Sequence, residues 1–283
     1  MKSLYGDCVE VLREIPDDSV NLIVTSPPYA EQRKKTYDGK AVDGYVSWFI
    51  ERAEEFKRVL AKDGTLIVNI KEHVKDCERS TYVLELILAM KKQGWLWTEE
   101  WCWHKKTAPP GKWPNRFRDS WERILQFNLD RKFHLTGMYQ DEVMTPIGDW
   151  AKTRREHLSE ADKTRQASAT GSGFAKNVLK GVNREKVYPS NVLHLSPETG
   201  NKNHSAAFPE ELPTFFIKLF SKPGDTILDP FQGSGTTGVA AVKLKRDYIG
   251  IDIKEEYAKL AEDRINKAVP VIPEAGLSSL MEK

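Results

Sequence analysis

Apolar residues fall along this chain in two alternating rhythms, compact runs and helical stripes. Val20 to Thr25 is a compact run with the character of a buried strand, and Ser26-Pro27-Pro28 stops it because proline cannot donate to a sheet ladder. Ahead of it, Asp7 to Glu14 predicts a short helix and Asp17-Asp18-Ser19 a turn. Residues 30–42 are polar and irregular. Trp48, Phe49, Ala53, Phe56 and Leu60 then lie near helical spacing and predict a helix over Tyr45 to Leu60. Asp63-Gly64 predicts a turn into a strand from Thr65 to Ile70, and Tyr82 to Lys92 a helix ended by Gly94.

The middle of the chain changes character. Trp95, Trp97, Trp101 and Trp103 share odd parity, and Ser120 to Asn128 predicts a strand. The stretch between them, His104 to Arg118, is a loop rich in proline and basic residues. From Asp130 to Lys186 apolar periodicity is weak, and residues 159–173 have the composition of an exposed loop. The α/β rhythm then returns. Pro209 to Ser221 predicts a helix, Thr226 to Asp229 a strand, Gly233 to Gly238 a glycine turn opening a helix, Tyr248 to Ile253 a strand, and Lys254 to Lys267 a closing helix. Strand, glycine turn, helix and strand make a βαβ unit, so the expected fold class is α/β with a doubly wound, mostly parallel sheet.

Composition narrows the class. At 283 residues with 40% hydrophobic and 30% charged residues, the chain has the make-up of an ordinary globular protein. The N-terminal stretch alternates charge and apolar residues, unlike a secretory signal, and the most apolar segment, Tyr82 to Met90, is too short to span a bilayer. Cys8, Cys77 and Cys102 form no CxxC pair and no metal-ligand cluster, which argues against a disulfide framework or a zinc site and makes the cytoplasm the expected compartment. The net charge of +2 is unevenly spread: residues 101–186 hold 17 Lys and Arg against 10 Asp and Glu, and the remainder is acidic. A basic insert on an acidic body is suited to a polyanion, though a solvated lysine-rich surface has the same composition.

Two segments carry candidate chemistry. Asp229-Pro-Phe-Gln-Gly-Ser-Gly-Thr-Thr-Gly238 contains a GxGxxG between an expected strand and an expected helix. Asp252 follows Gly233 by nineteen residues at the end of the next strand, where a carboxylate can accept hydrogen bonds from both hydroxyls of a ribose. On this element alone a nicotinamide dinucleotide and S-adenosylmethionine are both candidates. The absence of GxxxxGK[ST] disfavours a nucleoside triphosphatase loop. The second segment is Thr25-Ser26-Pro27-Pro28-Tyr29. Its two prolines stiffen the turn, so the Ser26 hydroxyl and Pro27 carbonyl can accept the protons of an exocyclic amine while Tyr29 stacks on a planar base. Such stacking contributes roughly 1–3 kcal/mol per base.

Ser26 to Tyr29 ahead of Asp229 to Gly238 resembles the DNA amino-methyltransferases of the β arrangement, in which the catalytic motif comes first, the target-recognition region second and the cofactor motif last. Gly6-Asp7-Cys8, Trp101-Cys-Trp-His-Lys105, His204-Ser-Ala-Ala-Phe-Pro209 and Ile249-Gly-Ile-Asp252 extend the likeness. The resemblance implies a circularly permuted Rossmann-like methyltransferase: 1–129 as the catalytic-motif half, 130–186 as the basic target-recognition region, and 187–283 as the cofactor-binding half. It implies that Ser26, Pro27, Pro28 and Tyr29 are catalytic. Asp7, His204, Asp229, Pro230, Phe231, Gly233, Ser234, Gly235, Thr236 and Asp252 would surround S-adenosylmethionine. The family often has His-x-x-Lys-Pro before the following helix, whereas Phe208 precedes Pro209 here.

The activity this resemblance implies is site-specific methyl transfer to a flipped base in double-stranded DNA. A serine first in the motif resembles the cytosine N4 enzymes, and an aspartate there the adenine N6 enzymes. Lys112, Arg116, Arg118, Arg131, Lys132, Lys152, Arg154 and Arg155 are the candidate phosphate contacts. A thiolate attack at cytosine C5 is not expected, since no cysteine follows a proline. Beyond DNA, the resemblance allows a homodimer and a cognate restriction endonuclease as partners, with no membrane and no metal. The rival readings are a nicotinamide oxidoreductase, which leaves Ser26 to Tyr29 without a role, and a non-catalytic DNA-binding module.

Overall fold

The computed structural model describes residues 1–31, 41–107, 117–135, 143–158, 185–198 and 208–268. The chain divides into two units, Met1–Thr136 with Asn191–Lys283, and Gly137–Ser190. The larger unit is built on an eight-stranded sheet. Its strands are β1 (Lys2–Tyr5), β2 (Val20–Thr25), β3 (Leu60–Ile70), β6 (Leu96–Lys105), β7 (Trp121–Asn128), β10 (Val192–Leu195), β11 (Thr226–Asp229) and β12 (Asp247–Asp252). Across the sheet they lie in the order β1-β12-β11-β2-β3-β7-β6-β10. β7 runs antiparallel to both neighbours, and the other pairings are parallel. The mostly parallel, doubly wound architecture expected from the sequence is therefore the one observed.

Helices α1 (Cys8–Leu12), α2 (Tyr45–Val59), α3 (Tyr82–Lys92), α5 (Glu211–Phe220), α6 (Thr236–Lys243) and α7 (Glu255–Asn266) belong to the same unit. Leu22, Ile23, Leu66, Ile67, Val68, Ile227 and Leu228 are buried to 1% exposure or less. Central parallel strands are covered on both faces, which is why they read as unbroken apolar runs. Phe49, Ala53 and Phe56 of α2 join Val83, Leu86 and Met90 of α3 in the main core. A small hairpin, β4 (Val74–Lys75) with β5 (Glu78–Arg79), completes the unit's described strands. In the smaller unit, β8 (Thr145–Pro146) pairs antiparallel with β9 (Lys186–Val187), and α4 spans Asp149–Glu156.

The structure departs from the expected elements in three places. The Asp63-Gly64 turn lies inside β3, which already starts at Leu60. β2 pairs Val20 with Leu60 and then Leu22 with Thr65, so the intervening residues form an irregularity in the ladder rather than a strand boundary. The tryptophan parity is also interrupted. Trp95, Trp101 and Trp103 are buried, while Trp97 is 40% exposed where the β6–β7 register shifts between Trp97 and Glu99. Finally, the edge strands β1 and β10 carry no legible sequence signal, because four residues are too short a stretch to hold a pattern.

Candidate active site

Strand order reverses between β11 and β2: β12 lies on one side of the pair and β3 on the other. In doubly wound sheets the crevice beyond the carboxyl ends of such a pair is where ligands bind. Both candidate segments leave the sheet there. Ile227 pairs with Leu22 and Leu228 with Ile23, so Thr25 and Asp229 end neighbouring strands. The Thr25 hydroxyl donates to Asp229 Oδ1 at 2.7 Å, the Thr237 hydroxyl to Oδ2 at 2.7 Å, and the Phe231 amide to Oδ1 at 3.1 Å. Burial raises the Asp229 carboxyl to about 6, against the lowering pull of these three donors. Asp229 is 2% exposed, and through these bonds it clamps the two segments together.

Asp252 plays a parallel part on the next strand. Its Oδ2 accepts the Gly233 amide at 3.0 Å and its Oδ1 the Lys254 amide at 2.9 Å. Burial raises this carboxyl to about 6 as well, opposed by the two amides. A carboxylate offers about four acceptor positions, so both oxygens keep capacity for further donors. Gly233 and Gly235 have φ of 51° and 79°, the left-handed region that favours glycine. Ser234 is buried and its hydroxyl lies 2.6 Å from Arg264 Nη1; Pro230 and Thr236 are buried, and Phe231 is half-buried against Trp48 at 5.7 Å between ring centroids. Asp7 caps α1 by accepting the Val9 amide and pairs with Arg52 at 2.8 Å. Arg52 in turn lies 4.4 Å over the Trp48 ring.

At the β2 tip, Pro27 is buried and Ser26, Pro28 and Tyr29 are half-buried. The Tyr29 hydroxyl donates to Glu122 Oε2 at 2.7 Å, with Asn69 Oδ1 3.2 Å away, and it receives the Ser26 hydroxyl at 3.3 Å. Asn69 Nδ2 donates to the same Glu122 oxygen at 3.1 Å, and Lys105 holds the other. Burial alone would raise the Glu122 carboxyl. Lys105 beside it, the Tyr29 hydroxyl and Lys71 farther off instead hold it below the ordinary carboxylate range. The Tyr29 hydroxyl is pushed well above its ordinary value by burial and by the Glu122 charge. Tyrosine is therefore the proton donor of this pair, and glutamate the anion.

Sequence reasoning missed Asn69, Lys105, Glu122, Trp48 and Arg52. The available signal was a polar residue interrupting an apolar run, as at Asn69 within Leu66 to Ile70, and a basic residue four positions after Trp48 on an otherwise apolar helix face. His204, Lys112 and Arg116 lie outside the described residues. Arg118, Arg131 and Lys132 are exposed on the larger unit, whereas Lys152, Arg154 and Arg155 sit on α4 of the smaller one. Lys152 pairs with Asp149 at 2.9 Å. Among the described residues no cluster of His, Cys, Asp and Glu is arranged to hold a metal ion, and no helix is long and apolar enough to cross a membrane.

Comparison with known proteins agrees with this geometry. A family model described as DNA methylase, for the N6 and N4 amino-methyltransferases, matches residues 20–263. Type II methyltransferase M.PvuII of Proteus hauseri is 29% identical over 90% of this chain and 81% of its own length. M.Cfr9I of Citrobacter freundii is 30% identical over 92% and 86%. The solved PvuII DNA methyltransferase (cytosine-N4-specific) superposes with a TM-score of 0.67 at 25% identity, covering 92% of this chain and 84% of that one. The M1.HpyAVI–SAM complex shares the fold, with a TM-score of 0.58 at 19% identity over 94% of this chain and 100% of that chain. The joined strand tips and these likenesses together place the chain in the N6/N4 DNA methylase family, as a DNA methyltransferase.

Proposed function

We propose that the protein transfers a methyl group from S-adenosylmethionine to the exocyclic N4 of a cytosine extruded from duplex DNA. The carrying observation is the Thr25–Asp229 hydrogen bond, which sets the base-gripping turn directly beside the glycine turn. Bound in the crevice, S-adenosylmethionine would supply an activated methyl on its sulfonium, so the protein's task is position and electrostatics. The donor set fits: Asp252 retains acceptor capacity for ribose hydroxyls while anchoring Gly233. Ser26 and the Pro27 carbonyl accept the amine protons, which favours a tetrahedral, nucleophilic nitrogen. Tyr29 gives the base a face to stack on, which offsets part of the few kcal/mol that extrusion costs.

Serine at the head of the motif, and the cytosine-N4 specificity of the PvuII enzyme, favour cytosine. Adenine N6 is the second reading, supported by the likeness to DNA adenine methyltransferase YhdJ of Escherichia coli, 29% identical over 94% of this chain. Methylating unmodified plasmid DNA in vitro, digesting it to nucleosides and identifying the product by mass spectrometry separates them. N4-methylcytosine is the expected product; N6-methyladenine would replace the first reading by the second.

The basic residues provide a second check. If the exposed Arg and Lys side chains of 101–186 neutralise on the order of five phosphates, log Kobs for DNA should fall with log salt at a slope of about −4 to −5. Removing one contact, as in Arg131→Ala, should flatten the slope by about 0.9. A binding constant indifferent to salt would remove residues 130–186 from the DNA interface.

A further inference from the structure

At the β2 tip a chain of donors leads from the base-gripping turn to a carboxylate that gripping alone does not need. Ser26 Oγ donates to Tyr29 Oη at 3.3 Å, and Tyr29 Oη donates to Glu122 Oε2 at 2.7 Å. The direction is uniform, from the turn toward a carboxylate that is 7% exposed. The other groups on that carboxylate are donors as well: Lys105 on Oε1 and Asn69 Nδ2 on Oε2. Asn69 is itself held, since its Nδ2 also donates to the Arg123 carbonyl at 3.1 Å. The end of the chain is thus a fixed anion facing a tyrosine hydroxyl.

We infer that Ser26, Tyr29 and Glu122 form a proton relay that carries away the proton an exocyclic amine must lose on methylation, with Glu122 as its terminal acceptor. The inference rests on the amine-methylation reading above. In the step, the nitrogen lone pair forms the bond to the methyl carbon as the carbon–sulfur bond breaks, its electron pair staying on sulfur. The nitrogen then bears a positive charge and one proton too many. That proton passes to Ser26 Oγ, the Ser26 proton to Tyr29 Oη, and the Tyr29 proton to Glu122 Oε2. Glu122 becomes a neutral acid, nitrogen becomes neutral, and Ser26 and Tyr29 end as they began. Lys105 and Asn69 are positioning residues that hold the acceptor ionised and aimed until the proton arrives.

A ring that only stacks would not need its hydroxyl, and that separates the two roles. Tyr29→Phe keeps the stacking face and cuts the relay; Glu122→Gln keeps the shape and removes the acceptor. At saturating plasmid DNA and S-adenosylmethionine, both should lose a hundredfold or more in single-turnover rate, within the range proton-transfer groups contribute, about 10²–10⁴. Dissociation constants for DNA and for S-adenosylmethionine should stay within about threefold of wild type, thermal midpoints should be retained, and Glu122→Asp should recover part of the rate. A Tyr29→Phe protein working at the wild-type rate overturns the relay, as does a loss that appears in binding or melting instead of rate. A wild-type protein that methylates no amine refutes the functional reading and the relay with it; a methylating wild type beside an equally fast Tyr29→Phe refutes the relay alone.

Discussion

Asp229→Ala should lower the free energy of unfolding by about 2–4 kcal/mol and abolish methyl transfer. Removing this carboxylate strands the Thr25 hydroxyl, the Thr237 hydroxyl and the Phe231 amide, all of which now donate to it. A buried donor left without a partner costs about 1–3 kcal/mol. An opposing effect is real: burial raises this carboxyl to about 6, so keeping it ionised at neutral pH costs at most about 3 kcal/mol, which the variant recovers. Three stranded donors outweigh that recovery. The same shift fixes the pH behaviour. Between pH 4 and 6 the native carboxyl holds a proton that the unfolded chain has released, so wild-type stability rises as pH falls through about 6 and levels off near the unfolded value. The variant lacks this contribution, so the gap between the two proteins should widen on acidification from about pH 7 to about pH 4.5. Urea unfolding at both pH values checks it; a gap that narrows would mean that Asp229 does not carry the raised carboxyl. Asp229→Asn keeps the size and one acceptor and should cost less than the alanine variant.

How far each feature was legible in the sequence depends on how local its signal is. Strands β2 and β11 end at segments whose proline and glycine dictate backbone geometry on the spot, so both motifs were legible from residue type alone. Their meeting was legible only through the family's order of motifs, and the parallel pairing of Ile227 with Leu22 supplies it physically. Glu122 could not be found this way. Its contact with Tyr29 depends on β7 running antiparallel beside β3, so that Asn69 pairs with Ile124 and Glu122 reaches the tip of β2 from two strands away. A strand's partner is a property of topology, and the alternation in Ser120 to Asn128 is silent about it. Likewise Asp63-Gly64 has turn composition, yet tertiary pairing of Leu60 with Val20 keeps the chain in the sheet on both sides of it. The roles of Asp229 and Gly235 shift for a related reason. Residue type marks both as important near a ligand, while their contacts show how much of that importance is packing.

Gly235→Ala makes that distinction measurable and should cost about 2–4 kcal/mol of stability. Two separate effects add. The residue sits at φ 79°, where a side chain strains the backbone by about 1–2 kcal/mol. A Cβ there would also lie 2.8 Å from the Ala261 Cβ and 3.0 Å from its Cα, inside the contact of two carbon atoms. These are backbone or backbone-tied atoms on α7, so no rotamer change relieves the overlap and the helix must move. Overpacking of this kind typically costs about 1–3 kcal/mol. Ala261→Gly opens the same space from the other side, at about 1 kcal/mol for a glycine in a helix interior. In the double variant the Cβ–Cβ overlap is gone, while the close approach to the residue 261 Cα and the backbone strain remain, so the pair should be more stable than the sum of the two single losses by about 1 kcal/mol. Because α7 also aims Arg264 at the Ser234 carbonyl and hydroxyl, the displaced helix in Gly235→Ala should weaken S-adenosylmethionine binding, and Ala261→Gly should restore it in step with stability. Chemical denaturation with calorimetric titration across the four proteins reads both quantities. Additive losses would show that the Cβ–Cβ contact with Ala261 contributes nothing to the cost of Gly235→Ala.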